Sequence, residues 1–124
     1  MSDEHTIDCA FVVYCEWFRQ SFVVFTDIER ARAELAAYGA TVEAGLGGAG
    51  YADHPDGSAI FWIVFKTPEP NAGTIVHECI HAVDYLFEFV GAPVSVENSE
   101  CRCYLTEWLF GKVADGLAEL PAPC

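Results

Sequence analysis

The stretch Thr74 to Val90, TIVHECIHAVDYLFEFV, predicts a long helix. It follows the break Thr67-Pro-Glu-Pro-Asn71 and stops at Gly91, with Ala-Pro behind it. Inside it, His77-Glu78-Cys79-Ile80-His81 has the spacing His-Glu-x-x-His. At 3.6 residues per turn both imidazoles fall on one face, one turn apart, so two nitrogens can reach one metal ion. Glu78, about 100° round the helix from His77, can hydrogen-bond a metal-bound water without displacing an imidazole, which makes it the natural general base. Cys79, about 200° from His77, faces the body of the domain.

A catalytic zinc site needs a third protein ligand and one open position. Glu97 and Glu100 are the candidates. From His81 the helix runs roughly 15 Å to Gly91, and the next seven residues, extended, can cover more than about 20 Å back along it. A last helix is expected from Asn98 or Ser99, with Tyr104, Leu105, Trp108 and Leu109 as its apolar stripe and with Gly111 and Gly116 weakening its end. Glu100 then sits in the first turn, on a rigid element, whereas Glu97 lies in the preceding loop. This favours Glu100.

HECIH followed by E-x-x-x-Y-L-x-E-W-L resembles the zincin metallopeptidases whose third ligand is a glutamate on a following helix, the small versions encoded by phages and mobile elements above all. The likeness covers Val76 to Ala82 and Glu97 to Leu105, roughly the C-terminal half. It implies a metal set of His77, His81 and Glu100, one zinc ion per chain, a peptide or protein substrate, and a place in the host cytoplasm if phage-encoded. It also implies that Ala59 to Phe65 is the edge strand along which a substrate peptide lies. The chain departs from larger zincins in having no second lobe to wall a cleft. Helix spacing adds Asp84 and Glu107 as acceptors for a ligand imidazole's second N–H, and Tyr104 as a donor to the oxyanion of a tetrahedral intermediate.

Upstream, Ala10 to Phe18 and Ser21 to Phe25 read as two short strands, or one interrupted strand, with Arg19-Gln20 as the polar break. Thr26 or Asp27 caps a surface helix over Ile28 to Tyr38, stopped by Gly39. Four glycines between Gly45 and Gly50 read as a flexible loop near a cleft, and they lack the Gly-Lys-Ser/Thr ending of a phosphate loop. His54-Pro55-Asp56-Gly57 is turn chemistry leading into Ala59 to Phe65, an unbroken apolar run expected to be buried on both faces. Beyond Leu120 the tail should be loose, and nothing splits the chain into two domains.

With 52% hydrophobic residues the chain can close a core. Nineteen acidic residues against six basic ones leave a net charge of -13, a surface that repels nucleic-acid phosphates. The acidic N-terminus lacks the basic start of an export signal and no apolar run has the length of a membrane span, which predicts a cytoplasmic, reduced protein with free thiols. The expected fold is therefore α+β: a small, mainly antiparallel sheet against which the motif helix and the last helix pack, with the metal between those helices. The expected chemistry is amide hydrolysis. Zinc lowers the pKa of its water, and Glu78 takes the proton and passes it to the leaving nitrogen. A second class stays open, a non-catalytic zinc-clasped interaction protein acting through its acidic surface.

Overall fold

The computed structural model describes residues 7–43, 45–53, 57, 59–93 and 95–121. In chain order the elements are β1 (Phe11–Cys15), β2 (Gln20–Phe25), α1 (Ile28–Ala36), β3 (Gly47–Asp53), β4 (Ala59–Phe65), α2 (Ala72–Val90) and α3 (Ser99–Ala118). The class is α+β, built on one four-stranded mixed sheet in the order β1-β2-β4-β3. β1 pairs antiparallel with β2, and β3 with β4, while the central β2–β4 seam is parallel.

The apolar run that makes β4 explains the layering. Phe61, Ile63 and Phe65 point to one face and Trp62 and Val64 to the other, and all five are buried. β2 alternates in the same way, with Phe22 and Val24 opposite Val23 and Phe25. Helices α2 and α3 cover the first face through Ile75, Val83, Leu86, Phe87, Leu105, Leu109 and Val113. Helix α1 covers the second through Ala31 and Leu35. Asp27 caps α1, its Oδ1 accepting from the Arg30 backbone N–H at 3.1 Å.

Several expectations need correction. The glycine-rich stretch is a loop only at its start, because residues 47–50 belong to β3. Glycine is required there by close packing: a Cβ on Gly50 would lie 2.5 Å from the ring of Trp62. Ala59 to Phe65 is not an edge strand but an interior one, and β3 holds the edge. The first helix stops at Ala36, short of Tyr38. Helix α3 runs through Gly111 and Gly116 to Ala118, since Gly116 gives the ring of Phe11 room against the helix. Its buried stripe is Leu105, Leu109 and Val113, and Tyr104 is 68% exposed. The His54-Pro55-Asp56 turn, apart from Gly57, and the tail after Pro121 lie outside the described residues.

Among the described residues no helix is long and apolar enough to cross a membrane. Cys9, Cys15, Cys79, Cys101 and Cys103 are free thiols, with Cys15 and Cys79 buried and Cys101 and Cys103 exposed.

Two glycines should respond in opposite directions to the same substitution. Gly50→Ala forces its methyl into the buried Trp62 ring and should destabilise the fold by about 1–3 kcal/mol. Gly111→Ala meets no atom within 4 Å inside a helix and should stabilise it by about 0.5–1 kcal/mol. Urea unfolding of the two variants checks both signs.

Candidate metal centre

Helix α2 carries the motif and is fixed at both ends. The Asn71 side chain accepts from the Thr74 backbone N–H at 2.8 Å, and Gly91 closes the helix in the left-handed conformation at φ 80°. Six of its seven buried residues are apolar. Burying Ile75, Val83, Leu86 and Phe87 is worth about 1.5–3 kcal/mol each. That gain outweighs a cost of several kcal/mol for drawing one carboxylate out of water, and the carboxylate drawn in is Glu78.

Glu78 is 5% exposed, the one charged residue buried among those described. It lies against the edge strand. A Cβ on Gly47 would sit 3.1 Å from both Cγ and Oε2 of Glu78, and equally close to the Val64 carbonyl oxygen. Glycine at 47 is therefore what lets the carboxylate approach the backbone of β3. Burial pushes the Glu78 pKa up, while the neighbouring imidazoles of His77 and His81 pull it down less strongly. The direction carries this carboxyl toward the range of a general base working near neutral pH.

His77 and His81 lie on the exposed face of α2, their rings edge to face with centroids 4.8 Å apart. A zinc ion sits about 2.0–2.1 Å from each ligand nitrogen, so two rings that share it have centroids no more than about 6 Å apart. Their separation lies within that limit, and imidazole is the donor zinc favours. Beside it opens a cleft of about 440 Å³ between the start of β3 and the N-terminal turns of α2, lined by Leu46, Gly47, Asn71, Thr74, His77 and Glu78.

The structure does not bring the third acid to this pair. Among the described residues no group of three His, Cys, Asp or Glu side chains is gathered closely enough to hold a metal ion. Glu97 and Glu100 are both exposed, and Glu100 stands in the first turn of α3 as expected. Arg102 on α3 donates to Asp84 on α2 at 3.0 Å, an ion pair between the two helices. Asp84 is thus engaged by Arg102 rather than by an imidazole. Glu107 is exposed between the buried Leu105 and Leu109, and Tyr104 does not line the cleft.

Cys79 is buried as the helix spacing requires, and burial pushes its thiol up to about 12, which keeps it protonated and inert. Leu46 and Gly47, from the glycine stretch expected to lie near a cleft, do line it, but strand β3 was missed by sequence reading, because the glycines that admit Glu78 and Trp62 also imitate a loop. The available signal was length: an apolar strand of seven residues followed a turn, and the seven residues before that turn could pair with it.

No family model matches this chain, and neither the curated proteins nor the solved structures contain a match to it.

The raised pKa of Glu78 makes a stability prediction for the metal-free protein. Because the folded state holds this proton more tightly than the unfolded state, stability falls as pH rises from the ordinary carboxylate range through the folded pKa. Glu78→Gln removes that loss. The variant should melt above the parent at pH 8 and converge with it near pH 4, which thermal scans across that range will show.

Proposed function

We propose that the chain is a zinc-dependent hydrolase of the metallopeptidase type, with His77 and His81 holding the ion and Glu78 as general base. The observation that supports this reading is a buried carboxylate beside two exposed imidazoles one turn apart, with the carboxylate and His77 lining a cleft beside a sheet edge. When bound, zinc supplies Lewis acidity that lowers the pKa of water and polarises an amide carbonyl.

The chain's own residues divide the remaining work. Glu78, itself nearly buried, accepts a proton from the attacking water and returns it to the departing amide nitrogen. The outer edge of β3, in place of Ala59–Phe65, aligns the substrate backbone by strand pairing. Leu46 and Thr74 receive one substrate side chain in the cleft. Glu100 is the third donor implied by the likeness to zincins. It is not gathered with His77 and His81 in the structure, so this role requires it to move toward them on metal binding. Tyr104 as oxyanion donor rests on that same likeness.

Elemental analysis of purified protein should give close to one zinc per chain, and His77→Ala or His81→Ala should abolish it. Glu78→Gln should keep the metal and lose hydrolysis of a peptide library. If Glu78→Gln changes nothing measurable while the histidine variants unfold, the site is a structural clasp. Among the acids, Glu100→Ala should weaken zinc binding about tenfold or more, with Glu97→Ala nearly silent. Equal small losses would remove Glu100 from the ligand set.

A further inference from the structure

The opposite edge of the sheet carries a second surface, remote from α2's histidines. β1 is an edge strand, so alternate backbone N–H and C=O groups along Phe11–Cys15 point away from β2. Its side chains split between two environments. Val13 and Cys15 are buried beneath α3, whereas Val12 and Tyr14 on the other face are 53% and 51% exposed, because α1 covers only β2 and β4.

Alongside β1 runs a groove of about 430 Å³, floored by residues 11–14 and walled by Lys112, Asp115, Gly116 and Glu119 of α3. It continues into a second hollow of about 290 Å³ bounded by Glu16, Trp17 and Trp108. Trp17, 66% exposed, stands edge to face against Trp108 at 5.1 Å. Three carboxylates and one ammonium line the two hollows, on a chain whose net charge is -13.

We propose that this edge is a docking site for an extended basic peptide that adds to β1 as a fifth strand. The alternation of a strand specifies its chemistry. Side chains on the α3 side of the added strand meet Asp115, Glu119 and Glu16 and are basic. Those between them lie beside Val12 and Tyr14 and are apolar, preferably β-branched. The Trp17–Trp108 pair closes one end of the groove and offers its faces to a cation. The charge that repels a second copy of this chain attracts such a peptide. The inference does not depend on the metal reading, since neither β1 nor the C-terminal half of α3 contributes to that site.

The test uses the metal-free full chain and a short synthetic peptide, capped at both ends, in which lysine and valine alternate. A capped peptide of the same length and composition, with all its lysines placed before all its valines, is the control of equal charge. The alternating peptide should bind, shift Trp17 and Trp108 fluorescence, and slow amide exchange at alternate residues of Phe11–Cys15 by about tenfold or more. The block peptide should bind at least about tenfold more weakly and leave those amides unprotected. Asp115→Lys with Glu119→Lys, both at exposed positions, should weaken the alternating peptide by about tenfold or more while leaving the melting temperature close to the parent's. Equal binding of both peptides would reduce the effect to general charge attraction and overturn the proposal. So would absence of binding, or β1 amides already protected in a peptide-free protein that sediments as a dimer, the signature of a second copy on this edge.

Discussion

Everything in this molecule is arranged around one strand that cannot tolerate water on either side. β4 buries Phe61, Ile63 and Phe65 toward α2 and α3, and Trp62 and Val64 toward α1. A strand of that composition needs a neighbour at each edge and a layer on each face. β2 and β3 supply the edges. The helices supply the layers, and helix α2, reached from β4 by only six residues, is laid across the sheet beside β3. The position of the motif is a by-product of covering β4.

From that packing follows the unusual state of Glu78. A helix pressed onto a sheet by Ile75, Val83, Leu86 and Phe87 has no freedom to roll and lift one glutamate back into water. Gly47 eases the arrangement, because a Cβ there would crowd the carboxylate and the Val64 carbonyl at 3.1 Å. The histidines, about 60° and 100° round the helix from Glu78 and on the same side of it, remain in solvent. One helix thus presents a desolvated acid and two solvated bases within five residues, a separation of environments that acid–base chemistry at a shared centre requires.

The elements that span one period of a pattern were legible in the residues. α2 with its Gly91 stop, α3 from Ser99 and the doubly buried Ala59–Phe65 carried local signals strong enough to place them, although α2 starts two residues before Thr74 and β1 ends at Cys15 rather than Phe18, which puts the break at 16–19 and Gln20 inside β2. β3 was not legible. Its glycines are demanded by Trp62 and Glu78, which lie 12 and 31 residues further on in the chain, and local reading treats glycine as freedom rather than as clearance. The edge position went to the wrong strand for the same reason: strand order depends on who pairs with whom, and an interior strand announces only its burial. In the site, helical spacing placed His77, Glu78, His81 and Cys79 correctly relative to one another. The relation of α2 to α3 was out of reach, since it is set by packing between the helices that no spacing within one helix encodes.

The parallel seam between β2 and β4 has a consequence for the chain entropy of folding. The hairpins β1–β2 and β3–β4 each join near neighbours, Cys15 to Gln20 and Asp53 to Ala59. The seam joins Phe22 to Phe61, 39 residues apart, with α1 and β3 carried in the intervening loop. Closing such a loop costs chain entropy before its contacts return any of it. Of the three strand pairings the seam therefore carries the largest chain-entropy cost. Its closure takes the paired rings of Phe22 and Phe61 out of water, along a line that the finished molecule conceals.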